Sequence, residues 1–245
     1  MKRVVITTAA ICLAFIVNAA TAYTWRLVAS YPVPVPNPRG YRVRGFDYGY
    51  IVDAGSIPYV YFFFLRTGSI ISSFPAPGGA GAWGITDLYE ESYISNNRTS
   101  WIYKITSTGS VISSFRCPVP GPADMNISWM TRYLEIAIPD RNVIAVVDAT
   151  TGSLVSTFAG PGSRPIACCG YQTSLIVDAA THTVYENGVP VITGIDTPVG
   201  ADENFTTDYE LWLYVVDDAT DRIYWYERTL AVAPASLGRV KALFK

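Results

Sequence analysis

Five similar segments recur along this 245-residue chain, and the repeat restricts the possible folds more than any other feature of the sequence. Each segment contains a short apolar strand that ends in a large residue just before a turn toward proline. These large residues recur every 37 to 43 residues, at Tyr31, Phe74, Phe115, Phe158 and Ile195. A period of this length is typical of solenoids, propellers and other arrays that copy one structural unit.

A second marker keeps the same register. In each segment an apolar run ends in Asp or Asn, at Asp53, Asn96, Asp140, Asp178 and Asp217. A shorter segment rich in small residues precedes each run, and an alternating strand with aromatic or β-branched residues follows it. Each repeat therefore predicts four antiparallel strands, which we call a, b, c and d from the inside outward.

The order of these strands predicts how the array closes. Strands a, b and c occur five times after residue 44, whereas the first d strand, Leu27 to Tyr31, precedes the first a strand. We expect an all-β, five-bladed β-propeller over residues 23–230, with the N-terminal strand completing the last blade beside residues 222–226. This pairing would hide a sheet edge that is otherwise exposed. A linear β-solenoid with open ends is the alternative.

The two ends of the chain differ from the repeats. Residues 1–22 combine a basic start with an apolar stretch at 4–17 and a small-residue cleavage signal, which predicts a secretory signal peptide. The stretch is shorter than the ~20 residues that span a bilayer, so we expect no transmembrane span in the mature chain. An uncleaved anchor is the alternative. The mature protein should be exported: secreted, periplasmic or on the cell surface. Residues 231–245 form a basic, apolar tail whose role stays open.

Composition excludes several functional classes. The net charge is −2 and no cluster of Lys or Arg follows one face, so we expect no nucleic-acid partner. A single histidine, His182, excludes a site with several histidines, and no nucleophile elbow, phosphate-binding loop or zinc-protease motif is present. Beyond the signal, Cys117, Cys168 and Cys169 are an odd number and cannot all pair. We expect Cys168 and Cys169 to be buried thiols, with a vicinal disulfide as the alternative.

The loops that join strand d of one blade to strand a of the next (d–a loops) and the turns between strands b and c (b–c turns) should lie on the same rim of the propeller. These loops are dense in Pro and Gly, hence stiff, which favours a preformed binding surface. The first loop, residues 32–44, is the longest. The repeated Asp or Asn is expected to stabilise its own turn, because a residue present once per blade serves the blade. The candidate ligand-binding residues are placed on this rim: Arg39, Tyr41, Arg42, Asp47, Trp83, Asp124, Arg164, Asp202 and Glu203.

No metal or cofactor is expected. Several of the acidic residues that break the repeat nevertheless fall in or beside the a strands, near the predicted channel mouth. A ring of inward carboxylates and carbonyls there would be able to hold Ca²⁺, the hard cation that oxygen ligands suit. The residues of this alternative are Asp47, Asp87, Asp124, Asp202 and Glu203.

The blade sequence in residues 84–87, 93–96, 101–105 and 108–115 resembles exported bacterial propellers of the YVTN, NHL and streptogramin-lyase-like groups. The blade number and Trp83-Gly84-Ile85 are also similar to the five-bladed glutaminyl cyclases. The resemblance covers residues 27–227 and implies the fold, because it rests on positions that form blades. The histidines expected of the lyase group are missing, and no catalytic residue of a cyclase maps onto this chain.

These features together predict an exported, non-enzymatic binding or scaffold propeller that recognises a protein, peptide or glycan on its loop-rich rim. Stiff loops, 33 aromatic residues and the lack of recognisable catalytic groups favour it. The alternative is an enzyme, a cyclase-like transferase or a lyase, acting at the mouth of the central channel. Carboxylates clustered in an apolar pocket with strongly raised pKa values would favour the enzyme.

Overall fold

The structure of this protein is a computed structural model that describes residues 23–45, 47–88, 90–128, 130–170, 175–205 and 211–230. The predicted signal peptide and the basic tail lie outside the described residues, so both stay predictions. The chain divides into two compact units. The larger is Leu27–Glu227, and the smaller comprises Met1–Arg26 and Arg228–Lys245.

The described part of the smaller unit is a short strand pair. The guanidinium carbon of Arg228 lies 4.0 Å from the ring centroid of Tyr23. The hydroxyl oxygens of Thr24 and Thr229 are 3.1 Å apart. These contacts join residues 23–26 to residues 228–230.

The described residues form twenty β-strands and one turn of 3-10 helix at Pro139–Arg141. The first ten strands are β1 (Tyr23–Pro32), β2 (Pro38–Arg44), β3 (Tyr48–Asp53), β4 (Tyr59–Phe64), β5 (Ser69–Pro75), β6 (Ala82–Leu88), β7 (Glu91–Asn96), β8 (Trp101–Ile105), β9 (Val111–Arg116) and β10 (Met125–Ile127). The remaining ten are β11 (Tyr133–Ile138), β12 (Val143–Asp148), β13 (Leu154–Ala159), β14 (Pro165–Cys169), β15 (Leu175–Asp178), β16 (Thr183–Glu186), β17 (Val189–Thr193), β18 (Pro198–Phe205), β19 (Leu211–Asp217) and β20 (Arg222–Leu230).

The strands assemble into five four-stranded sheets, which confirms the predicted five blades. Four sheets follow the chain: β2–β5, β6–β9, β10–β13 and β14–β17. The fifth has the order β18-β19-β20-β1, so the N-terminal strand supplies its outer strand, as predicted. Each inner strand contacts the inner strands of both neighbouring blades, and β18 contacts β2. The ring is therefore closed, and the solenoid alternative is wrong.

The core lies between neighbouring blades. Because side chains alternate across a strand, each sheet sends one apolar row toward each neighbour. Between the fifth and first blades, for example, Tyr214 and Val216 pack with Tyr41, Ile51 and Phe63. The sequence thus closes the ring with the same kind of apolar contact that joins the other blades.

The inner strands meet so closely at the axis that three of them need glycine. A Cβ atom on Gly40 would overlap Gly84, and one on Gly84 would lie 2.6 Å from the carbonyl oxygen of Ala123. A Cβ atom on Gly200 would lie 2.7 Å from the carbonyl oxygen of Arg39. Real side chains do not approach backbone atoms this closely, which explains why the inner segments are rich in small residues.

The structure corrects the predicted first d–a loop. Residues 38–44 form the inner strand β2, so the loop ends at residue 37 and is short. Tyr41 and Val43 point into the core while Arg42 between them does not, which is the alternation of a half-buried strand. The sequence placed the first inner strand after residue 44. In the structure Gly45 instead has φ 65° and lies in the turn that follows β2.

Candidate functional site

The d–a loops and b–c turns lie side by side, as predicted, and we call this end of the propeller the loop rim. Backbone hydrogen bonds join the two kinds of segment: Ala54 N–H donates to the Asn37 carbonyl at 2.9 Å, and Ala179 N–H donates to the Arg164 carbonyl at 3.0 Å. The loop rim is therefore a firmly connected surface.

The repeated acidic residues of the b–c turns serve the turns. Asp178 is fully buried, and its carboxylate accepts hydrogen bonds from Arg164 N–H, Ala180 N–H and Thr181 N–H. Asp217 is also buried and accepts from the N–H of Thr197 and of Ala219. At these two positions the contacts agree with the structural role expected from the repeat. Asp140, the repeated residue of the third blade, is exposed and makes no hydrogen bond with a residue that the structure describes.

A cavity of about 160 Å³ opens on the loop rim, and we call it the rim pocket. Arg39 is held in three ways: Nη1 lies 3.0 Å from Asp218 Oδ2, it donates to the Pro38 carbonyl, and the guanidinium carbon is 5.2 Å from the Trp83 ring centroid. Val199, buried in the core between the fifth and first blades, also lines the pocket. The pocket thus combines an aromatic ring, an immobilised cation and an apolar wall.

A second arginine, Arg164, also lines the rim pocket, and among the described residues only its backbone is held by hydrogen bonds. The backbone N–H of Arg164 donates to Asp178 Oδ2 at 2.5 Å, which fixes the loop. Its guanidinium is exposed and makes no hydrogen bond or ion pair with a residue that the structure describes. With Arg39 and Asp218, the ionised groups that line the pocket sum to one positive charge. A carboxylate suits a site of this charge.

A second cavity, of about 250 Å³, lies at the opposite end of the axis, and we call it the axial cavity. Arg42 from β2 crosses its wall, donating from Nη1 to Asp202 Oδ1 at 2.8 Å and from Nε to Asp87 Oδ1. The ion pairs join the inner strands of the fifth, first and second blades. Asn126 and Glu203 also line the cavity beside Leu88 and Ile127, so its walls combine acidic and amide groups with apolar side chains.

Burial controls the ionisation of the groups around the axis. Desolvation raises the pKa of Asp202 to about 6, although Arg42 and the N–H of Val43 oppose the shift. Desolvation also raises the pKa of Asp124 well above its ordinary value, against hydrogen bonds from backbone N–H groups. Burial acts to lower the pKa of Arg42, but the carboxylates of Asp202 and Asp87 outweigh it and raise that pKa, so the guanidinium stays charged. A charged guanidinium therefore separates Asp87 and Asp202.

The three described cysteines are free thiols and buried, so the vicinal disulfide alternative is wrong. Cys168 Sγ donates to the Glu135 carbonyl at 3.1 Å. Burial raises the pKa of the thiols of Cys168 and Cys169 well above the ordinary value. Neither is a reactive thiolate at neutral pH.

The structure separates the predicted site residues into groups. Arg39, Trp83 and Arg164 meet in the rim pocket, whereas Arg42, Asp202 and Glu203 line the axial cavity. The other three lie elsewhere: Asp124 is buried at the axis, Tyr41 is 1% exposed in the core, and Asp47 pairs with Arg66 at 3.1 Å. The prediction that Tyr41 and Arg42 lie on a rim loop is wrong, because both belong to β2. The predicted rim position is also wrong for Asp202 and Glu203, which line the axial cavity at the other end of the inner strands.

Two contributors were missing from the predicted set, Asp218 in the rim pocket and Asn126 in the axial cavity. Each stands beside or within a repeated motif, so the sequence offered little to distinguish it. Within the described ranges, no group of three or more His, Cys, Asp or Glu side chains is arranged to hold a metal ion. The expectation that no metal or cofactor binds, with Ca²⁺ as its alternative, stays a prediction.

No helix among the described residues is long and apolar enough to cross a membrane. No family model and no curated protein matches the sequence.

Solved structures do resemble this chain. Glutaminyl cyclase from Myxococcus xanthus is 10% identical, with a TM-score of 0.67 over 85% of this chain and 98% of that chain. A catalytically inactive variant of virginiamycin B lyase from Staphylococcus aureus, with quinupristin, is 17% identical, with a TM-score of 0.50 over 78% of this chain and 66% of that chain. At these identities the likeness concerns the fold alone. The chain is a five-bladed β-propeller repeat protein, similar in fold to these bacterial proteins.

Proposed function

We propose that this protein is an exported, non-enzymatic binding propeller that recognises a carboxylate-bearing protein, peptide or glycan at the rim pocket. The observation that carries the proposal is the exposed Arg164 guanidinium, which has no partner among the described residues and stands at a pocket shared with Arg39 and Trp83. A carboxylate would complete its hydrogen bonding, in the paired geometry that guanidinium and carboxylate favour.

The fixed parts of the pocket support recognition. Arg39 is already held by Asp218 and stacked on Trp83, so little side-chain entropy is lost when a ligand arrives. The Trp83 indole also supplies an apolar face for the rest of the ligand, and tryptophan and arginine are typical of binding hot spots. A preformed pocket of this kind suits binding by contact alone, without chemistry.

Export is part of the proposal and rests on the sequence of residues 1–22, with their basic start and apolar stretch. Outside the cytoplasm the partner would be a surface or secreted molecule. Acidic peptides and acidic glycans both carry the carboxylate that the pocket suits.

Catalysis at the axial cavity is the alternative, and the pKa of Asp202, raised to about 6, is the observation that favours it. Against it, Oδ1 of Asp202 accepts from Arg42 Nη1 and Oδ2 accepts from Val43 N–H at 2.7 Å. Because both oxygens of this carboxylate accept hydrogen bonds from β2, its role is to join the inner strands, and neither oxygen is left free for proton transfer. Binding at the rim pocket is therefore the function that we propose.

An array of peptides and glycans, containing acidic members and their neutral counterparts, tests the proposal. The wild-type protein should retain acidic members, Arg164→Ala should lose them, and Arg116→Ala should keep them. Arg116 is the matched control, because it is an exposed arginine on the outer strand β9, away from the rim pocket. Equal binding by wild type and Arg164→Ala, or binding of neutral members alone, would contradict the proposal.

A further inference from the structure

The axial cavity is built by the inner strands of every blade. Its walls come from β2, β6, β10 and β18 and from Gly170, which directly follows β14. We propose that this cavity is a second binding site, which takes a small organic cation with a primary ammonium group. The site lies at the opposite end of the axis from the rim pocket, so it does not depend on the proposed function.

The charge of the wall favours a cation. Three carboxylates line the cavity, from Asp87, Asp202 and Glu203, and one guanidinium, from Arg42, opposes them. With all four ionised the lining carries two negative charges. Inside a cavity of low dielectric such an excess attracts a positive ligand more strongly than it would in water.

A buried amide provides a second, independent indication of a ligand. Asn126 lines the cavity and is only 8% exposed. Its Nδ2 donates to the Gly170 carbonyl at 3.4 Å, while its Oδ1 makes no hydrogen bond with any residue in the described ranges. Protein atoms do not enclose this oxygen, so it is accessible from the cavity and can accept a hydrogen bond from a ligand there.

The positions of the charges select the kind of cation. Arg42 lies between Asp87 and Asp202 and occupies the Oδ1 atom of each, so these carboxylates cannot close around one metal ion. A second planar guanidinium would need the same paired oxygens. An ammonium group has three donors around one atom and can use single oxygens on different walls, such as Asn126 Oδ1 and the second oxygen of Asp87.

The size of the cavity limits the rest of the ligand. Drug-sized ligands occupy pockets of about 300–1,000 Å³. The axial cavity, at about 250 Å³, is smaller and suits a compound of a few heavy atoms. Hydroxyl or amide groups on that compound would find partners in the polar wall.

The test uses ethanolammonium as the probe, with ethylene glycol as its neutral counterpart and Ca²⁺ as the competing class. Each is titrated at neutral pH into isotopically labelled propeller while backbone amide shifts are followed by NMR. Ethanolammonium should shift the amides of Asn126, Ser128 and Gly170 with a Kd on the order of 1 mM, as expected for a ligand of so few atoms. Ethylene glycol should bind at least about tenfold more weakly, because it lacks the charge.

Two variants and a control complete the test. Asp87→Asn removes one charge and Asn126→Ala removes the unpaired acceptor, and each should weaken ethanolammonium binding about tenfold. Arg164→Ala, at the other end of the axis, should leave it unchanged. If Asp87→Asn does not fold, Asn126→Ala alone decides. The inference is overturned if ethanolammonium causes no shift at these amides, if ethylene glycol binds equally well, if Ca²⁺ alone binds there, or if Asn126→Ala binds like the wild type.

Discussion

The side chain of Asp124, on the third blade, accepts a hydrogen bond from the backbone N–H of Ala201 on the fifth blade, at 3.1 Å between Oδ2 and N. Its other oxygen accepts from Ile85 N–H on the second blade at 3.3 Å. One fully buried carboxyl group therefore ties three inner strands together at the axis. Between the rim pocket and the axial cavity, the inner strands are therefore packed together and joined by this buried carboxyl group.

Replacing Asp124 with Ala should strongly destabilise the fold. The change leaves two buried N–H groups without acceptors, and each unpaired group costs about 1–3 kcal/mol. We expect the free energy of unfolding, measured in urea, to fall by at least about 2 kcal/mol. Asp196→Ala, at an exposed position, is the control and should unfold as the wild type does. Equal midpoints for the two variants would show that Asp124 does not join the blades.

Adding a single methyl group at Gly40 should also destabilise the propeller. A Cβ atom there would overlap Gly84 and lie 2.6 Å from Asp124 Oδ1, and neither inner strand can retreat. Overpacking of this kind typically costs about 1–3 kcal/mol or more. Gly55→Ala is the matched control, because its Cβ would come no closer than 3.5 Å to Asp53. Thermal melts of both variants decide: a Gly40→Ala protein as stable as Gly55→Ala would contradict the closeness of the inner strands.

The ionisation of Asp202 should make stability depend on pH. Burial raises its pKa from 3.8 to about 6, so between these values the folded protein binds more protons than the unfolded chain. The free energy of unfolding should therefore fall as pH rises from about 4 to 6, by on the order of 2–3 kcal/mol from this group. Urea unfolding across this range should show a steeper fall in wild type than in Asp202→Asn, in which the raised pKa of Asp124 still contributes. A variant whose pH profile runs parallel to that of wild type would refute the assignment to Asp202.

Removal of the N-terminal strand should open the ring. A chain that starts at residue 33 lacks the outer strand of the fifth blade, leaving the edge of β20 unpaired. It also loses the stacking of Tyr31 on Trp225, whose ring centroids are 6.4 Å apart. We expect a markedly lower Tm and association between molecules, compared with a chain that starts at residue 23. An unchanged Tm with no association would mean that β1 is dispensable for closure.

The blades and their closure could be predicted because they depend on local, repeated signals. An apolar run that ends in Asp53 or Asp178 looks alike in every blade, and the displaced Leu27 segment shows which strand closes the ring. The first inner strand, β2, could not be predicted from the sequence, because the prolines and arginines at residues 32–44 are typical of a loop. Its burial comes from Tyr214 and Phe63, which lie far away in the sequence.

The sequence predicted residues of both cavities but did not show which residues belong to which cavity. Arg39 and Arg42 are three residues apart, yet they lie at opposite ends of the axis because β2 runs along it. The carboxylate partners of Arg42 are Asp87 and Asp202, which are 45 and 160 residues away. Only the closed ring brings these charges together, so no spacing in the sequence could have revealed which residues share a cavity.

The most direct test of the account compares one ligand with its own methyl ester. The best acidic ligand from the array is titrated calorimetrically into the wild-type propeller, with its carboxylate free and then esterified. If Arg164 and Arg39 bind the carboxylate, the ester should bind at least about tenfold more weakly, since hydrogen bonds to charged groups are worth about 1.5–3 kcal/mol. Equal affinities for acid and ester would contradict carboxylate recognition at the rim pocket.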